Sequence, residues 1–108
     1  MTVDKAALFA PRLPEADVDV PGVGTIRVRA LSRAEGMRIK DMKGTEATER
    51  LILAMGMVDP ALTEAEVGQW MKAAPAAEIE PVSLKIAELS GLLDGSAQGA
   101  YKSDGGQP

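Results

Sequence analysis

The feature that most constrains this chain is a stretch in which apolar and charged residues alternate twice around a glycine-rich break. Val18, Val20, Ile26 and Val28 alternate with Asp17, Asp19, Arg27 and Arg29, and Pro21-Gly22-Val23-Gly24-Thr25 lies between the two runs. A period of two marks a strand with one buried face, so the pattern predicts an antiparallel hairpin. Centring the hairpin on Val23 pairs Val20 with Ile26, Val18 with Val28 and Ala16 with Ala30 on one face. The same register sets Asp19 opposite Arg27 and Asp17 opposite Arg29 on the other face, whereas a one-residue slip would bring Asp opposite Ile. The expected loop is Gly22 to Gly24, because glycine accepts positive φ. Opposed charges add only about 0.2–1 kcal/mol per pair, and a lone hairpin is marginal in water. The Val/Ile face therefore has to pack against whatever follows.

Helices follow. Ser32-Arg33-Ala34-Glu35 has the residues of a capping box and predicts a helix from Arg33 to about Lys43, stopped by Gly44. Thr45 is the expected cap of a second helix running through Leu51, Ile52, Met55 and Val58 and ended by Asp59-Pro60. Thr63-Glu64-Ala65-Glu66 is a second capping box, with Leu62 and Val67 placed as a hydrophobic staple. This third helix carries Val67, Trp70 and Met71 on one face. Pro75 opens a fourth, in which Ile79, Val82, Ile86, Leu89 and Leu93 recur at spacings of three and four. Pro81 either falls near enough to the start of that helix to cost little or divides it. Ser90-Gly91-Leu92 reads as a helix C-terminus with Gly91 left-handed.

Ahead of the hairpin, Asp4 is placed to cap a short helix around Lys5 to Phe9, which Pro11 and Pro14 bring to an end. From Asp94 onward there are four glycines and one aromatic in fifteen residues, a composition that cannot bury a core. The expected organisation is an N-terminal extension over 1–15, one domain over 16–93 and a flexible tail or linker over 94–108. The fold class is α+β, mostly α: an N-terminal β-hairpin followed by a small bundle of about four helices, with a disordered C-terminal tail.

Composition narrows function by exclusion. The 108 residues contain no histidine and no cysteine, and one each of Phe, Trp and Tyr. This removes disulfides, thiolate nucleophiles, Ser-His-Asp triads, imidazole ligands and cysteine zinc sites. A net charge of -4 with so few aromatics lacks the basic footprint and stacking platforms of nucleic-acid binders. No apolar run approaches the roughly 20 residues of a membrane span, and the N-terminus is unlike a secretory signal. A cytoplasmic setting is the default expectation. A domain this small hides only about 60% of its unfolded surface, so a partner that binds the folded form would add stability.

The chemical motifs fail one by one. Gly22-Val23-Gly24 begins like a dinucleotide fingerprint, but Arg27 occupies the third glycine position and a strand follows instead of a helix. Asp17-x-Asp19 lacks the rest of a calcium loop, with Pro21 fifth and Val28 twelfth. Lys43-Gly44-Thr45 scrambles the phosphate-loop order. The carboxylate pairs Glu46/Glu49 and Glu64/Glu66 sit in opening helical turns, where they complement the dipole; Glu78/Glu80 likewise shows no sign of a catalytic site. The expectation is a non-enzyme with no cofactor and no metal.

What remains is surface. Residues 27–58 sum to +3 (seven basic, four acidic) and residues 59–94 to -5 (two basic, seven acidic). Arg27, Arg29, Arg33, Arg38, Lys40 and Lys43 could form a basic ridge. It would be either a solvated face neutralised by Asp17, Asp19 and the acidic C-terminal helices, or a steering surface for an acidic partner or a second copy. Met37, Met42, Met55, Met57 and Met71 all fall in the three central helices. Methionine fills irregular core gaps and also makes adaptable binding surfaces, and Trp70 has the same two roles open to it. The candidate partner-contact residues are therefore Met37, Met42, Met55, Met57, Trp70, Met71, Arg27, Arg29 and Arg33.

In this order, the elements resemble the tail assembly chaperones of long-tailed bacteriophages. The residues that carry the resemblance are Val18-Asp19-Val20-Pro21-Gly22, Gly24-Thr25-Ile26-Arg27-Val28-Arg29 and the helix start Leu31-Ser32-Arg33-Ala34-Glu35. Val58-Asp59-Pro60-x-Leu62-Thr63-Glu64-x-Glu66-Val67 and Ile86-Ala87-Glu88-Leu89-Ser90-Gly91-Leu92 extend it over roughly residues 16–93. The resemblance implies a non-enzymatic phage protein of the host cytoplasm, absent from the mature virion. It implies binding to the long tape measure protein, which is kept soluble while tail tube protein is recruited, in many members through a longer frameshifted product. Self-association, basic half to acidic half, is a further expectation. Two other classes stay open: a structural tail component retained in the virion, and a small cytosolic adaptor.

Overall fold

The computed structural model describes residues 2–40, 42 and 45–92. Their elements, in order, are α1 (Lys5–Phe9), β1 (Glu15–Val20), β2 (Gly24–Arg29), α2 (Arg33–Lys40), α3 (Thr45–Gly56), β3 (Met57–Asp59), α4 (Glu64–Ala73) and α5 (Ala76–Leu89). This is the α+β, mostly α arrangement expected, with the hairpin following the short α1 and the other four helices after it. α2 ends at Lys40, short of the expected run to about Lys43: Met42 is no longer helical, and its N–H closes a tighter turn on the Ile39 carbonyl at 3.1 Å. Lys43, Gly44, the last apolar position Leu93 and the tail 94–108 lie outside the described residues.

The hairpin forms, but in a register two residues from the expected one. Glu15 pairs with Arg29, Asp17 with Arg27, Val18 with Ile26, Asp19 with Thr25 and Val20 with Gly24. A two-residue shift leaves every side chain on its face, so alternation alone cannot exclude it. The turn decides. Val23 N–H donates to the Val20 carbonyl at 3.0 Å, and Gly22 has φ +79°. Pro21 and Gly22 thus take the two central places of a type II turn, which suit proline and glycine respectively. In the expected register Pro21 would have stood in the ladder, where it has no N–H to give.

A third strand corrects the second expected helix. α3 stops at Gly56, and Met57–Asp59 pairs antiparallel with β2, giving the sheet order β1-β2-β3. A Cβ on Gly56 would lie 2.6 Å from Ile86 Cδ1, so the end of α3 closes on α5 more tightly than any other residue would permit. Turning there into a strand covers the outer edge of β2 and buries Met57 at 5% exposure.

The remaining helices are specified locally. Ser32 and Glu35 exchange the two bonds of a capping box at 3.2 and 2.9 Å, and Thr63 and Glu66 do the same at α4. α5 runs unbroken through Pro81. It ends with Leu92 N–H on the Ala87 carbonyl, Gly91 N–H on that of Glu88, and Gly91 at φ +74°, which is a Schellman motif. The core lies between the inner sheet face and the helices. Its fully buried members are Val28 of β2, Leu53 of α3, Val67 of α4 and Val82 and Ile86 of α5.

Candidate functional site

Six of the sheet's polar residues are bound up in side-chain pairs. Arg27 donates to Glu15 Oε1 at 2.7 Å and to Asp17 Oδ1 at 2.9 Å, and Thr25 Oγ1 donates to Asp19 Oδ1 at 2.9 Å. Arg29 grips Glu35 with two parallel bonds of 2.8 and 2.7 Å, tying α2 to β2. These bonds, helped by the Ser32 backbone N–H and opposed by burial, hold the Glu35 carboxyl at about 2. Arg27 and Arg29 therefore serve the fold. Arg33 and Lys40 on α2 are exposed and make no ion pair among the described residues.

Those two cations rim an apolar groove. About 530 Å³ in volume, it lies between α2, α3 and the C-terminal end of α5, lined by Leu31, Ser32, Arg33, Gly36, Ile39, Lys40, Thr48, Ser90, Gly91 and Leu92. Its apolar surface comes from Leu31, Ile39 and Leu92. Its interior hydroxyls are already committed. Ser90 Oγ accepts from Leu31 N–H at 2.7 Å and donates to the Ile86 carbonyl at 2.6 Å, while Ser32 caps α2 and Thr48 is also engaged. A second depression of about 410 Å³ adjoins it through Thr48, with Met42, Ile52, Leu84 and Ala87 in its lining. Leu84 is 47% exposed. Positions 84 and 87 fall on one side of α5, and Gly91 lies just past its end.

The nine expected contact residues do not form one surface. Arg33 and Met42 line the two joined depressions, and Met37 stands 52% exposed on α2. Met55 packs half-buried against the core, with Arg38 Nη1 4.0 Å from its sulfur. Met71 also packs against the core. Met57 belongs to the core itself. With Trp70 it lines a separate recess of about 310 Å³ under the hairpin tip, beside Val23, Ile26, Pro60 and Leu62. Trp70 Nε1 donates to Glu78 Oε2 at 2.8 Å, so the indole ties α4 to the first turn of α5. α1 is a further exposed apolar element, with Leu8 at 55% and Phe9 at 74%.

Sequence reasoning missed Gly36, Ile39, Thr48, Ile52, Leu84 and Leu92. Leu84 carried a signal, since it is a leucine out of phase with the buried stripe at 79, 82, 86 and 89. Chemically, the groove offers an apolar floor, interior hydroxyls that are already engaged, and two cations with no ion pair among the described residues. That set can hold an apolar segment, yet it has no free polar group inside with which to orient a small substrate. Among the described residues no cluster of three acidic groups is placed to hold a metal, and no helix is long and apolar enough to cross a membrane. No protein-family model, no curated protein and no solved structure matches the chain.

Proposed function

We propose that this chain is a non-enzymatic tail assembly chaperone that binds the tape measure protein, keeps it soluble and helps recruit tail tube subunits. It works in the host cytoplasm and leaves before the virion is complete. The resemblance in the order and residues of its elements suggests the role. The observation that carries it is the apolar groove on α2, α3 and α5, whose interior polar groups are already paired. A tape measure protein is a long amphipathic rod, and a protein that holds it needs adaptable apolar contacts without chemistry. Half-buried Met42 and exposed Leu84 in the adjoining depression supply such contacts, and Met37 stands exposed on α2 outside both linings.

The test is aggregation of a tape measure fragment diluted from denaturant and followed by light scattering. The chain at equimolar ratio should suppress scattering, and serum albumin should not. Unchanged scattering would overturn the assignment. Finding the chain at stoichiometric level in purified virions would favour a retained structural component instead.

A further inference from the structure

Gly36 is the residue the fold does not explain. It sits inside α2, where glycine costs about 1 kcal/mol relative to alanine. Its φ is not left-handed, and a Cβ built there meets nothing within 4 Å. Gly56 is the opposite case, because its missing Cβ makes room for Ile86 of the same chain. Among the described residues nothing fills the space over Gly36, and that space is the groove. A missing side chain on a groove wall lets another element come close to the helix backbone.

The charges around the groove say what kind of element fits. Its charged lining residues are Arg33 and Lys40, both basic and exposed, with no carboxylate beside them in the lining. In contrast, Arg27 and Arg29 each have carboxylate partners at 2.7–2.9 Å. The floor is apolar, and the joined depression continues it along α5 past Ala87 and Leu84; the one carboxylate in that depression's lining, Glu49, accepts from Ser83 Oγ at 3.0 Å. An apolar floor with a basic rim that makes no ion pair among the described residues is complementary to an apolar stripe with an acidic edge.

We propose that the groove between α2 and the C-terminal end of α5 seats one amphipathic helix of a partner protein, its apolar stripe flanked by acidic residues and its closest approach over Gly36. This deepens the chaperone reading and rests on it, by naming the site and the face of the helical partner that enters it. Arg33 and Lys40 act at the rim, setting orientation and encounter, while Leu31, Ile39 and Leu92 receive the stripe. Selection between partners then comes as much from repelling basic flanks as from attracting acidic ones.

The probe is a pair of synthetic helices with one leucine stripe, flanked by glutamates in one peptide and lysines in the other. Binding to the full chain is read by fluorescence anisotropy. The glutamate-flanked helix should bind about tenfold or more tightly than the lysine-flanked one and weaken with added salt. Arg33→Glu with Lys40→Glu should reverse the preference. Gly36→Leu should weaken binding about tenfold or more by filling the approach, while thermal unfolding shows the variant folded. A folded Gly36→Leu chain with unchanged affinity would overturn the proposal, as would equal binding of the two helices.

Two other occupants would also show themselves. Concentration-dependent dimerisation abolished by Arg33→Glu with Lys40→Glu would give the groove to a second copy and overturn the proposal. Amide shifts at Gly36 and Ile39 caused by Tyr101→Ala without peptide would give it to the chain's own C-terminal residues, with the same consequence. Failure of the peptides with retained suppression of tape measure aggregation would reject this site alone. Failure of the aggregation assay would reject the chaperone reading itself.

Discussion

The same substitution at two glycines should move stability in opposite directions. Gly36→Ala adds a methyl to the interior of α2 that touches nothing within 4 Å. Relief of glycine's backbone entropy is worth about 0.5–1 kcal/mol, or roughly 2–8 °C in Tm for a domain of this size. Gly56→Ala places its methyl 2.6 Å from Cδ1, 2.8 Å from Cγ2 and 2.9 Å from Cγ1 of Ile86. Ile86 is fully buried and cannot swing aside. Overpacking of that kind costs about 1–3 kcal/mol, and the last helical residue recovers little of it in propensity, so Tm should fall by roughly 5–15 °C. Pairing Gly56→Ala with Ile86→Ala makes the assignment specific. The double variant should be more stable than the sum of the singles by about 1–2 kcal/mol. Urea and thermal unfolding followed by circular dichroism read all four variants against wild type. A Gly36→Ala chain less stable than wild type would mean that this spot is covered within the fold. A Gly56→Ala chain of wild-type stability would refute the close approach of α3 to α5.

Two further perturbations probe the joints around the groove. Arg29 holds Glu35 at about 2, below the ordinary 4.5, so the stabilisation is complete above about pH 4.5 and is lost as pH falls toward 2. Glu35→Gln should cost about 1–2 kcal/mol at pH 7 and flatten that acid slope, as read by urea unfolding at pH 7 and pH 3. Ser90→Ala removes the acceptor of Leu31 N–H at 2.7 Å. It should cost about 1–3 kcal/mol and raise amide exchange at Leu31, measured by hydrogen exchange.

The elements written in local residues were legible from the sequence. Ser32/Glu35, Thr63/Glu66 and Gly91 each act within a few positions of themselves, and each does in the structure what its spacing indicates. The hairpin was legible as alternation but its register was not, because period two cannot separate shifts of two. Pro21-Gly22 held that information in its turn preference. β3 was hidden because Leu51 to Val58 is one apolar run, and the break at Gly56 depends on Ile86, thirty residues away. The groove was least legible of all. Its walls come from residues 31–40, 48 and 90–92, and only the packing of α2 and α3 beside α5 brings them together.

The most direct test of the account is the soluble fraction of the tape measure protein of the same genome, co-expressed with this chain or without it. Wild-type chain should move the tape measure protein from the pellet to the supernatant and co-purify with it, and folded Gly36→Leu chain should do neither. A tape measure protein equally insoluble with and without the chain would contradict the chaperone claim.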